Sequence, residues 1–213
     1  ILSRLVGSEM CIRDRLLGDH VAQRGSLNSD ERLRFDFSHS ALLTHEELHS
    51  AEKAVNAYIR QNSSVHTRIM APEDARKIGA QALFGEKYGD EVRVVSMGYQ
   101  NASGKGINGE TYSLELCGGT HVSRTSDINL VKITSESAVA SGVRRIEAVA
   151  GASALQWINR QLASLDASAK LYQVSKDALP ERIKLSLHQS QEKDQQIHAL
   201  QDKLALQQIS QLN

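Results

Sequence analysis

The feature that most limits what this chain can fold into is where its aromatic and strand-forming residues stop. No Phe, Trp or Tyr follows Tyr172, and strand-like patterns end near residue 153 of 213. Large aromatic side chains dominate packed cores, so the core has to be built before that point. Beyond it only helical periods persist. Leu155, Ile158, Leu162 and Leu165 keep one, and a second helical run follows Tyr172, with Ser175 as its cap and Pro180 in its first turns. Ile183, Leu187, Ile197, Leu200 and Leu204 fall near heptad spacing, but Ser190, Asp194 and Gln201 interrupt the seam. A long solvated helix or an antiparallel helical hairpin is expected there, at most a weak coiled coil.

Upstream, strand and helix signals alternate irregularly. Residues 32–37 switch strictly between polar and apolar, as a half-buried strand does. Thr44 and Glu47 form a capping-box pair at the head of a helix whose stripe is Leu48, Ala51, Val55, Tyr58 and Ile59. Further strands are expected at 65–70, 92–97, 112–116, 128–134 and 143–149, with a short helix opened by Pro72. A Gly-rich surface loop is expected over 101–109, and a Ser/Ala/Gly-rich connection between the last two strands. This order predicts an α+β fold, a mixed or antiparallel sheet with packed helices followed by a long α-helical tail.

Charge and cysteine content narrow the function classes. The 25 Lys+Arg balance 25 Asp+Glu, which removes the easiest sign of nucleic-acid binding, a strongly basic domain, while leaving room for a local basic patch. No apolar run approaches the roughly 18 residues of a membrane-spanning helix, so no membrane partner is expected. Cys11 and Cys117 are too few for a disulfide framework and follow no secretory signal, which makes the cytoplasm the expected location.

The most informative pentapeptide is Cys117-Gly-Gly-Thr-His121. Its two glycines permit positive φ, and its thiolate and imidazole are both ligand types that zinc accepts. The same residues also describe a buried Cys beside a surface His, and a Cys-His nucleophilic dyad would lack an orienting third group. Since a zinc site takes three or four protein ligands, other histidines have to be weighed. His45 and His49 share one helix face, but their neighbours in the stripe make them surface residues near a helix start. His188 and His198 belong to the solvated tail, while spacing leaves His20 and His39 undecided. A second cluster is Gly142-Val-Arg144-Arg145-Ile-Glu147. On a strand Arg144 and Arg145 point to opposite faces, so one can meet a phosphate while the other pairs Glu147 or another acid; ordinary surface ion pairing is the alternative. Gln23-Arg24-Gly25-Ser26 reads as a polar turn.

The stretches LLGDHVAQRGSLNSDERLRFDFSH, ALFGEKYGDEVRVVSMG and ELCGGTHVSRTSDINLVKITSESAVASGVRRIEAVAG, with the helical tail behind them, resemble the editing domain of the bacterial alanyl-tRNA synthetase family in order and spacing. The resemblance runs from about residue 16 to the C-terminus. It implies an editing domain over 16–152, truncated at its N-terminus, and a helical connector over 153–213. Residues 1–15 resemble nothing in the family and read as a non-family segment, an artefact joined to a fragment.

The implied activity is hydrolysis of the ester in tRNA(Ala) mischarged with Ser or Gly, in a zinc-dependent site. Cys117 and His121 match two of the family's zinc ligands, and Gln23 matches a pocket residue that positions the aminoacyl ester or the attacking water. Arg144 and Arg145 are loosely implied as contacts to the tRNA acceptor backbone. The remaining zinc ligands of the family are an H-x3-H pair. Counting back from Gly18 without gaps puts them at positions held by Ser3 and Gly7. Weak or absent zinc binding and poor hydrolysis are therefore expected of this chain. The resemblance implies ATP and Mg2+ only for the family's aminoacylation domain, which is not expected within these 213 residues. Two other readings remain in view: a free-standing trans-editing deacylase of the same superfamily, and a non-catalytic fragment that binds tRNA or self-associates through its helical tail.

Overall fold

A computed structural model describes residues 21–29, 32–80, 89–99 and 111–210. The loop expected over 101–109 lies outside the described residues, as do Ser3, Gly7, Cys11 and His20. Two compact units divide the chain, Ile1–Trp157 and Ile158–Asn213.

In the first unit the described strands are β1 (Gln23–Asn28), β2 (Leu33–Ser38), β3 (His66–Met70), β4 (Val92–Tyr99), β5 (Thr111–Leu116), β6 (Val131–Ala140) and β7 (Val143–Ala150). They form a four-stranded sheet in the order β1-β2-β7-β6 and a three-stranded sheet in the order β3-β4-β5. Every pairing is antiparallel. With helices α1 (His45–Arg60) and α2 (Pro72–Lys77) packed on them, this is the α+β fold the sequence predicts.

Helix α1 is where the two sheets share a core. Thr44 Oγ1 accepts the Glu47 N–H at 3.2 Å and the Glu47 carboxylate accepts the Thr44 N–H at 2.8 Å, closing the capping box. The predicted stripe then turns inward. Val55 and Ile59 pack with Tyr112 of β5, Val131 of β6, and Ala148 and Ala150 of β7. Ala51 joins Val21, Phe35, Phe37, Leu43 and Ile146 in a second cluster. Buried Asn56 fastens the helix to β6. Its Nδ2 donates to the carbonyls of Val131 (2.8 Å) and Glu52 (2.9 Å), and its Oδ1 accepts the Val131 N–H at 2.9 Å. Beneath the three-stranded sheet Ala75 of α2 meets Val92, Val94, Leu114 and Leu116.

Three local expectations need correction. Ile128 does not begin a strand: it ends a 3-10 turn, Thr125–Ile128, and β6 runs through the segment expected to be a loose connection. Only residues 141–142 turn, and Gly142, at φ +68°, supplies the left-handed conformation. Ser135 to Ala140 look loop-like because most of them bury little apolar surface, yet their backbones complete the ladder to β7, with register shifts between Ile133 and Ser135 and between Ala138 and Ala140. Likewise Gln23 to Ser26 is not a turn but the start of β1, bulged between Gln23 and Gly25.

The second unit is helical. Helix α3 (Gly151–Leu171) crosses the boundary, and α4 (Leu179–Ser210) follows it. Between them Ser175 Oγ accepts the Ala178 N–H at 3.4 Å, and the Lys176 ammonium reaches Asp166 at 2.9 Å. Among the described residues no helix is long and apolar enough to cross a membrane.

Candidate functional site

The Cys117–His121 segment leaves the end of β5. One step beyond the Val94–Leu116 pair, Cys117 stands across from Arg93 and donates its N–H to the Arg93 carbonyl at 3.0 Å. Its side chain lies beside Val95 and Met97, on the sheet face opposite α2, and the residue is 5% exposed. Both ring nitrogens of His121 are shielded from solvent. Past His121 the chain is tied down at once. Val65 N–H donates to the Ser123 carbonyl at 3.0 Å, Thr125 N–H to the Ser63 carbonyl at 2.9 Å, and Ser64 bridges to Arg124.

Gly118 and Gly119 are not among the residues with positive φ, so the conformational licence that the sequence suggests is unused. The segment is held from outside instead. The Arg93 guanidinium donates through Nη1 to the carbonyls of Gly119 and, at 3.4 Å, Cys117; its Nη2 reaches Thr67 Oγ1 at 3.5 Å. Arg93 was missed by sequence reasoning, though one signal was present: a single cation inside the apolar run Val92-Arg93-Val94-Val95.

As a metal site the described residues are incomplete. Cys117 and His121 are chemically suited donors, but among the described residues no group of three or more His, Cys, Asp or Glu side chains comes together. His45 and His49 are exposed at the start of α1, as the sequence predicts.

Gln23 lies in the other sheet. Register places it opposite Phe37, and Phe37 opposite Arg144, so Gln23, Phe37 and Arg144 form one row across β1, β2 and β7. Cross-strand partners share a face, which is here the face carrying Phe35 and Ile146. Gln23 Nε2 donates to Ser26 Oγ at 3.1 Å. Arg144 pairs with Glu136, whose side chain is 4% exposed. Arg145 points to the other face and grips Asp36 with two bonds, 2.7 Å and 2.8 Å. Opposite faces are thus confirmed, and each guanidinium meets an acid, though neither partner is Glu147. The hydrogen bond from Arg145 holds the Asp36 carboxyl below its ordinary range, and burial only partly offsets it. The Arg144 and Arg145 guanidinium pKa values are raised by their bonds to Glu136 and Asp36. Glu136 carried no sequence signal, because it stood in what looked like a loop.

Comparison with known proteins places this geometry. Residues 92–147, from the start of β4 through most of β7, match the threonyl and alanyl tRNA synthetase second additional domain. Over 192 residues the chain is 55% identical to alanine–tRNA ligase of Cereibacter sphaeroides, covering 90% of this chain and 22% of that protein. The chain is homologous to part of the alanine–tRNA ligases. The enzyme of Dinoroseobacter shibae is 57% identical over 193 residues (89% of this chain, 21% of that protein), and that of Paracoccus denitrificans 66% identical over 146 residues (68% and 16%). The chain spans about a fifth of the length of the curated relatives it matches. The second additional domain thus contributes both the Cys117–His121 segment and the paired arginines of β7, consistent with the editing region of the family.

Proposed function

We propose that this chain is a piece of the editing region of an alanine–tRNA ligase, a region that hydrolyses the ester of tRNA(Ala) mischarged with serine or glycine in the cytoplasm, and that the chain itself, with its ligand set incomplete, hydrolyses it poorly. The observation that carries the reading is the Cys117–His121 segment inside the matched domain, with a buried thiol and shielded imidazole nitrogens. The need for such a site follows from selectivity. A pocket shaped for alanine rejects neither glycine, which is smaller, nor serine, which adds a hydroxyl, by a large factor.

In the reaction, water adds to the ester carbonyl carbon and the bond to the terminal ribose oxygen breaks. That oxygen takes up the proton, releasing the amino acid and uncharged tRNA. Gln23, whose amide bonds Ser26 in the structure, would turn its Nε2 donor to the ester or the attacking water. Arg145 is the more open of the two arginines, at 28% side-chain exposure against 13%, and is the better candidate for an acceptor-stem phosphate. When bound, zinc would supply Lewis acidity beside Cys117 and His121. With two donors among the described residues its binding is expected to be weak, so no step is routed through it.

The test is deacylation of Ser-tRNA(Ala) with added zinc, by this chain and by a version carrying Ser3→His and Gly7→His in a family-like first helix. Hydrolysis by the restored version alone is expected. Failure of the restored version rejects the reading, and activity or stoichiometric zinc in the unaltered chain overturns the account of an incomplete ligand set. A second reading, self-association through the tail, draws on exposed Leu185, Leu187, Ile197, Leu200 and Leu204 of α4. Light scattering before and after deletion of residues 175–213 decides it, since an unchanged association state rejects it.

A further inference from the structure

We propose that Arg93 is a positioning residue for the Cys117–His121 segment: by donating to the carbonyls of Cys117 and Gly119, it holds the thiol and the imidazole in their enclosed arrangement. The inference rests on the reading of that segment as the reactive site.

Three observations support it. First, strand register alone brings Arg93 to Cys117. The pair continues the β4–β5 ladder, and the Cys117 N–H bonds the Arg93 carbonyl at 3.0 Å, so the guanidinium starts on the segment's own side of the sheet. Second, Cys117 is followed by two glycines, which carry no side chain that could pack and lose the most backbone freedom on ordering. Neither adopts positive φ, so the stretch does not owe its path to a conformation that only glycine favours. Third, Arg93 supplies a forked cation. One nitrogen serves the two segment carbonyls while the other reaches Thr67 Oγ1 of β3 at 3.5 Å, which fixes the plane of the fork. Bonds from a charged donor are stronger than neutral ones. A lysine keeps the charge but cannot reproduce the planar fork.

The experiment is amide hydrogen exchange on the 213-residue chain carrying Cys11→Ser, read together with the rate at which iodoacetamide alkylates Cys117. Arg93→Ala is expected to speed exchange at the Cys117 amide, which donates to the Arg93 carbonyl at 3.0 Å, roughly tenfold as the segment beyond it loses its charge-assisted bonds. Alkylation should quicken in step, while α1 and the centre of β4 keep parental protection. Arg93→Lys should fall between the two. Val92→Ala, which removes apolar bulk from the same strand, controls for general loss of stability and should leave the Cys117 amide at the parental rate relative to its strand neighbours. If Arg93→Ala does not fold, Arg93→Gln carries the same comparison. Parental exchange at the Cys117 amide together with parental alkylation in the Arg93 variant, or a rise no larger than in Val92→Ala, overturns the proposal. Neither readout needs metal, tRNA or turnover, so absence of ester hydrolysis by the restored version would reject the functional reading without touching this result.

Discussion

The two sheets of the first unit use charge in opposite ways. In the four-stranded sheet charges answer one another: Arg145 with Asp36, Arg144 with Glu136, and Lys132 with Glu52 of α1. In the three-stranded sheet the clusters are apolar, and the guanidinium of Arg93 turns instead to the carbonyls of the segment leaving β5. Paired charges in the first sheet select one register, because a slip by one residue would put every side chain on the wrong face. In the second, Arg93 orders the Gly118–Gly119 stretch, which has no side chains of its own to order it. The arginines of the Gly142–Glu147 motif thus serve as structural partners, and Arg93, outside any motif, bonds the Cys117–His121 segment.

The largest predicted effect tests the joint between the sheets. Asn56→Ala removes three hydrogen bonds and strands the Val131 N–H in the core. It should cost about 3 kcal/mol in urea unfolding, and a loss under about 1 would mean that α1 is held by packing alone. Next, Gly98→Ala tests the tight geometry of the three-stranded sheet. The backbone there is at φ +73°, and an added Cβ would meet the Tyr112 Cβ at 2.9 Å. Tyr112 cannot readily withdraw, since its ring stacks on Tyr58 with centroids 3.4 Å apart. A cost of about 2 kcal/mol is expected, and a neutral outcome would show that β4 shifts freely against β5.

Acid should separate the sheets. The folded Asp36 carboxyl titrates below its ordinary value of 3.8. Its stabilisation is therefore complete above that value and drains away as pH falls through the lower folded pKa. Asp36→Asn should lower Tm by a few degrees at neutral pH and flatten the loss of stability below about pH 4. Equal acid slopes in parent and variant would show that the pair with Arg145 contributes nothing. The smallest effect is expected at Thr44→Ala, about 1 kcal/mol from losing the cap; Thr44→Ser should recover most of it.

Much of this fold was legible because local chemistry and tertiary outcome agree. The Thr44–Glu47 box, the stripe Ala51-Val55-Ile59 and the alternation over β2 each state a preference that packing satisfies. Where they parted, the reason is the same in each case. The segment from Ser135 to Ala140, and Gln23 to Ser26, carry mostly polar or small residues, and backbone pairing to neighbouring strands makes them strands. Asp36 breaks its strand's alternation, being 8% exposed on the polar side of the pattern, because Arg145 arrives from a strand more than a hundred residues later. For the site, the residue types in Cys117-Gly-Gly-Thr-His121 could be read directly. The support they receive from Arg93 could not.

The sequence by itself determined where the core ends, which segments repeat with period two or near four, and which thiol and imidazole stand close along the chain. Those properties are local, set by side-chain spacing and by caps a few residues apart. The tertiary structure alone decided that β2 pairs with β7, that Gln23 and Arg144 share a row across Phe37, and that both β7 arginines meet acids. It also decided that the Cys117 loop hangs on Arg93. Each of these joins residues far apart in sequence, where the chain's own spacing carries no information and only strand register brings the partners together.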